Sequence, residues 1–258
     1  MSSVSERTVL GIDLAGVTGK TGYVALTGSD RPRLTKSGLV KREKQNPKEG
    51  ERRLRELVDS VRPNIVAIDA PLTLPPCTTC SASCQGPGDG CESEEARKLW
   101  DAKWDPLTRR SCERELRERV QGVNPGQTMG QIGTITARGV AFARSLKAKN
   151  PSLGPTHQVD LVLEVYPAAT LLQLGMCGRP AKNADPKQRS IFYGKTADEL
   201  AREINGLDEE SKCRSDDDVF DALIAAYTGW LHPDGLEQPP SGFDQESGWI
   251  WFPKAKAV

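Results

Sequence analysis

Two short apolar runs that each end in a carboxylate constrain this chain more than any other feature. The first, Leu10–Gly16 (LGIDLAG), extends an apolar stretch from Thr8 through Ile12 and delivers Asp13 among small residues. The second, Asn64–Pro71 (NIVAIDAP), delivers Asp69 and is stopped by Pro71. Runs of this length, bounded by turn formers and breakers, read as buried strands. If the two strands are parallel neighbours, their C-terminal ends share one edge of the sheet and the acids converge there, where open α/β sheets place ligands. Singly, an acid after a strand is more often a turn or cap residue, so the pairing carries the argument.

The segments around these runs predict a mixed α/β fold. Gly19–Gly22 (GKTG) reads as a tight turn, with Tyr23–Thr27 and Leu34–Val40 as further strands of an antiparallel meander. Pro47–Arg62 spaces Leu54, Leu57, Val58 and Val61 as an amphipathic helix that crosses to the strand ending in Asp69. Short helices are expected at Glu94–Trp104 and Arg109–Val120, a longer one around Ile135–Lys147, and another near Thr196–Asn205 after a loop at Asn183–Gly194. Val159–Tyr166 is a strand that ends at Pro167 and carries Glu164 near its C-terminal end. Gly248–Phe252 adds a last strand. The expected organisation is one domain over residues 1–258, with a cysteine-rich insertion at 72–133.

Ser215–Leu231 (SDDDVFDALIAAYTGWL) is a clear helix with an acidic first turn and an apolar remainder. Ser215 as N-cap and the helix dipole account for Asp216 to Asp218 without any function. They do not account for Asp221, flanked by Phe220 and Ala222, where an apolar residue is easier to bury. Asp13, Asp69, Asp218 and Asp221, with Glu164 as a further candidate, make a set of hard oxygen ligands for two Mg²⁺ or Mn²⁺ ions. Such a pair suits in-line displacement at a phosphodiester. His157 and His232 lie near no Ser or Cys motif that suggests a triad.

GIDLAG, AIDAPL, EVYPA and DDVFDALIAA, in this order of strands and helices, resemble the family of uncharacterised predicted nucleases with a ribonuclease-H-like fold. The resemblance runs from about Val9 to Phe252, and DxxDAL is also similar to the terminal acidic pair of bacterial Holliday-junction resolvases. It implies a five-stranded mixed sheet of order 3-2-1-4-5 with flanking helices, Asp13 on the central strand and Asp69 on its neighbour. The resolvases commonly carry Glu where this chain has Asp69, and many relatives carry His-Asp where it has Asp217-Asp218. These departures leave the ligand count open.

Seven cysteines, an odd number without an export signal, speak against a disulfide framework. Cys77, Cys80, Cys84 and Cys91 lie in a short stretch of Pro, Gly, Ser and Thr, with Cys112 as a further participant. The spacing fits a metal-held knuckle, with zinc first, an iron–sulfur cluster second and no metal third. Cys177 and Cys213 read as ordinary thiols.

Lys+Arg and Asp+Glu each number 35, which excludes a global basic field and makes any nucleic-acid contact local. Lys41–Arg55 and Arg109–Arg119 could supply it, although solvated helix faces laced with i,i+4 pairs are the commoner explanation of such runs. No signal-peptide core or membrane-spanning run is present, so a soluble, cytoplasmic protein is expected. The leading expectation is a metal-dependent nuclease on DNA or RNA. The alternatives are a non-catalytic nucleic-acid-binding module of the same fold and an actin-like ATP phosphotransferase that wraps phosphates with Asp13–Gly22. That last superfamily needs two such domains.

Overall fold

The computed structural model describes residues 6–16, 19–42, 46–86, 90–130, 132–148, 157–176, 179–181, 183–243 and 248–255. Six strands form one sheet: β1 (Arg7–Asp13), β2 (Gly19–Gly28), β3 (Arg33–Arg42), β4 (Ile65–Asp69), β5 (Leu161–Val165) and β6 (Ile250–Trp251). Their order is β3-β2-β1-β4-β5-β6. β1, β2 and β3 are antiparallel neighbours, whereas β4 is parallel to β1 and to β5. This is the ribonuclease-H-like arrangement. The sixth strand, expected within Gly248–Phe252, adds to the five that the resemblance implies, with Ile250 and Trp251 paired in parallel with Glu164 and Val165.

The period-2 alternation of the strands sorts their side chains to two faces. Val9, Ile65, Ala67, Leu163 and Val165 pack beneath helices α5 (Pro167–Gln173), α6 (Pro186–Leu200) and α7 (Asp217–Trp230). Leu10, Ile12, Val66 and Ile68 face the opposite way, against α1 (Pro47–Val61) and α4 (Gly133–Leu146). A third cluster joins α3 (Ser111–Arg119), through Cys112 and Leu116, to Trp249, Ile250 and Phe252 at the C-terminal end.

α7 lies directly on the sheet. A Cβ at Gly11 would overlap the backbone of Ala222 and Ala226, and one at Gly22 would overlap the Asp218 carbonyl. On the helix side, a Cβ at Gly229 would stand 2.8 Å from Val9 Cγ1 and 3.0 Å from Ala67 Cβ. Glycine at these three places permits the close approach that sets where the acidic turn falls.

Several boundaries differ from the sequence expectation. Gly19–Gly22 is the start of β2, paired with Val40–Arg42 and with Asp13, and not a turn. Pro167 begins α5, and most of the expected loop at 183–194 is helix, with Asp185 as N-cap of α6 and Pro186 in its first turn. Proline suits the first helical position, where its missing N–H is not needed. The N-cap of α7 is Asp216, which accepts from the N–H groups of Asp218 and Val219, in place of Ser215. Helix α2 is Glu94–Asp101, shorter than expected. Cys177 lies outside the described residues. No helix among the described residues is long and apolar enough to cross a membrane.

Candidate functional site

Asp13 ends β1 and Asp69 ends β4, and the register pairs them as direct neighbours across two parallel strands. Adjacent strands stand about 4.8 Å apart, so the two side chains leave the sheet edge together. Gly22 is the partner of Asp13 on its other side, and the first turn of α7 rests on Gly22. That contact brings Asp218 and Asp221 to the same end of the sheet. Asp221 is buried and ion-paired with Arg179 at 2.6 Å. Burial and the negative charges of Asp69 and Asp221 push the Tyr166 hydroxyl up, while Arg179 opposes them. Asp217 is ion-paired with Arg189.

Asp218 is half-buried. Burial first, then Asp216, Asp217 and Asp221, push its carboxyl up to about 6, against the pull of Lys20. A carboxyl held in a crowd of acids binds a proton or a cation more readily than an isolated one. The donors are all hard oxygens of the kind Mg²⁺ and Mn²⁺ take.

Glu164, the remaining acid of the predicted set, lines the same cavity as Asp13 and Asp69 but is already bound. Arg110 grips it at both oxygens, Nη2 to Oε1 at 2.6 Å and Nη1 to Oε2 at 2.8 Å, and the N–H of Leu72 donates to Oε2 at 2.8 Å. Arg110 is 1% exposed and also donates to Thr73, Thr128 and Glu113. From the sequence this arginine belongs to a run read as a solvated face or a phosphate grip, and the structure corrects that. Around it the solvated reading holds: Arg114 pairs with Glu118 and Arg119 with Glu115, as Arg52 and Arg53 pair with Glu49 on α1. Arg138 from α4 is a second buried arginine that sequence reasoning missed. It donates to Ala15 O at 2.7 Å, to Thr21 Oγ1 at 3.0 Å and to Glu51 at 2.8 Å, which fixes the backbone that follows Asp13. Neither arginine carries a distinctive local signal: the partners of Arg138, and Glu164, Thr73 and Thr128 for Arg110, are distant in the chain, and the near partner Glu113 has the spacing of any solvated helix pair.

The cysteines form a separate site. Cys91 Sγ lies 4.0 Å from Cys77, 3.8 Å from Cys80 and 3.8 Å from Cys84. Sulfurs at the corners of a tetrahedron with metal–sulfur arms of about 2.3 Å are separated by about 3.8 Å. Cys77, Cys80 and Cys91 are mutually close enough to hold one ion. Burial and the neighbouring thiols push Cys77 up to about 12 and Cys80 up to about 11. Backbone hydrogen bonds from Glu92 and Gly86 hold Cys84 down. Cys112 stands apart, buried in the third cluster. Cys213 is buried near α6 and α7.

Among solved structures, the chain is similar to T. thermophilus RuvC in complex with a Holliday junction substrate, at 16% identity over 85% of this chain and 90% of that one, with a TM-score of 0.34. A likeness at that level carries no argument about activity. Among curated proteins nothing matches the chain. A family's sequence model, however, matches residues 11–244, a span that runs from β1 through α7 and includes all the acids and thiols described above. The chain therefore belongs to the family described as Protein of unknown function (DUF429).

Proposed function

We propose that the protein is a divalent-metal-dependent nuclease acting on DNA or RNA, with Asp13, Asp69, Asp218 and Asp221 as the ligands of Mg²⁺ or Mn²⁺. One observation carries the reading: Asp13 and Asp69 are paired across β1 and β4 while the acidic turn of α7 is seated on Gly22, the other neighbour of Asp13. When bound, a pair of such ions supplies activation of water and stabilisation of the leaving oxygen at a phosphodiester. The side chains divide the remaining work. Arg179 balances the charge of Asp221 and suits a phosphate oxygen, as guanidinium groups do. Arg138 holds the chain after Asp13. Arg110 and Glu164 hold the chain after Asp69 through Leu72 and Thr73.

Zinc is the ion proposed for the four-cysteine site. Sulfurs 3.8–4.0 Å from Cys91, with Cys77, Cys80 and Cys91 mutually within reach of one ion, support a single metal ion over a cluster. Four thiolates leave zinc no open position for water, so the role is structural.

A non-catalytic nucleic-acid-binding module is the second reading, favoured by the ion pair Arg179–Asp221, which neutralises one of the four proposed ligands without metal. Of the Asp13–Gly22 stretch on which the phosphotransferase reading rests, Gly19–Gly22 belong to β2. Thermal shift and cleavage assays on wild type and Asp13→Asn separate these. A nuclease gains melting temperature with Mn²⁺ and cuts a DNA or RNA panel, and Asp13→Asn loses both. Metal stabilisation with no cleavage of any substrate supports the binding module instead.

A further inference from the structure

We infer that the cavity beside Asp13 and Asp69 takes a single unpaired nucleobase, so that the protein acts on nucleotides lying outside a double helix. This rests on the nuclease reading for the place of the phosphate, and the two can fail separately. The cavity has a volume of about 250 Å³. At ~30 Å³ for each water in the liquid that is room for about eight waters, the bulk of one heterocycle. It lies below the roughly 300–1,000 Å³ of sites for drug-sized ligands, and a base pair does not fit.

Its lining is of two kinds. Asp13 and Asp69 are the place for a phosphate with its cations. Pro71, Pro125, Ile132, Ile135 and Ile250 give it apolar walls, with Tyr166 as an aromatic surface. Apolar walls and one aromatic side chain are what a base needs once it has left its stack. Arg110 also reaches the cavity, but its guanidinium is committed to Glu164, Glu113, Thr73 and Thr128. It is therefore not a phosphate ligand, and the phosphate is left to Asp13 and Asp69 with their cations. Pro125 and Ile132 belong to the segment between β4 and α4, which thus walls the acids on one side. A base held inside a continuous duplex cannot enter a cavity of this size, whereas one turned out of its stack can.

The test uses the whole chain and two variants that narrow the cavity, Ile132→Trp and Gly126→Val. The three atoms nearest a Cβ at Gly126 all belong to Ile132, the closest at 3.5 Å, so the second variant is mild and remains readable where the first does not fold. Calorimetry with nucleoside 5′-monophosphates and Mg²⁺ is expected to show binding to wild type, and at least tenfold weaker binding to each variant that keeps the wild-type melting temperature. No binding to wild type, or equal binding to a folded variant, overturns the inference. In Mn²⁺ a single strand is expected to be cut at least tenfold faster than the same sequence in a blunt duplex. Equal cleavage of the two overturns the inference and leaves the nuclease reading intact. Mononucleotide binding without cleavage of either overturns the nuclease reading and supports the pocket.

Discussion

Arg110 is as dry as the aliphatic core, yet it carries a charge that two buried glutamates must answer. Its stabilising value lies in that mutual dependence. Arg110→Ala leaves Glu164 and Glu113 charged and unpaired and is expected to cost about 3–5 kcal/mol in denaturant unfolding. Arg110→Lys should recover little of this, because an ammonium cannot replace a fork that meets both oxygens of Glu164. Asp218 makes the opposite kind of prediction. Its folded value of about 6 lies above the ordinary 3.8, so the folded protein holds this proton where the unfolded chain has released it. The contribution to stability is thus full below pH 3.8 and is lost as pH rises through about 6. The difference in melting temperature between wild type and Asp218→Asn, measured without divalent metal, should therefore move against wild type across that window. A difference that stays flat removes the crowding argument. Asp13, Asp69 and Asp221 stood out in the sequence because each breaks an apolar pattern. Arg110 did not, since a run of Arg and Glu at helical spacing has the same sequence signature whether it is wet or dry, and Arg138 did not, since Glu51, Thr21 and Ala15 lie far from it in the chain.

At the scale of elements, the segment between β4 and α4 is held by contacts that no periodicity announces. The N–H of Cys77 donates to Pro106 O at 3.2 Å, and the N–H of Ser111 to Glu95 at 2.9 Å. These tie the thiol site to the turn that leads into Arg110. With zinc held there as proposed, its removal should therefore lower the melting temperature. Cys91 lies within 4.0 Å of each of the other three sulfurs, so Cys91→Ala is expected to lose the zinc. Cys112→Ala is expected to keep a full equivalent by elemental analysis. Equal zinc in both variants would refute this assignment. The strands β1 and β4 were readable because a buried parallel strand is an uninterrupted apolar run. α5 and most of α6 were not, because a proline that ends one element can also begin the next.

For the whole molecule, two core layers meet at the sheet and α7 closes one of them, with its side chains buried from Val219 to Trp230. Its apolar pattern made the helix plain in the sequence. That it would lie on glycines of two strands was not plain, since Gly11 and Gly22 matter only once the chain has folded back over them. Gly22→Ala forces a methyl into the Asp218 carbonyl and is expected to cost at least about 1–3 kcal/mol, with loss of metal-dependent stabilisation beyond the loss of stability itself. Retention of the full metal-induced thermal shift in Gly22→Ala would detach the acidic turn from the site.

Those glycines also act as an index. A helix advances about 1.5 Å per residue, and sliding α7 by one residue would bring a different stretch of backbone over the notches at Gly11 and Gly22. Intermediate settings are sterically closed, so the acidic turn is either in register with Asp13 or out of the fold. The amides of this helix should then exchange with solvent only when the whole protein opens, and the spacing of its carboxylates from the strand tips is a property of folding itself, with no hinge by which it could be tuned alone.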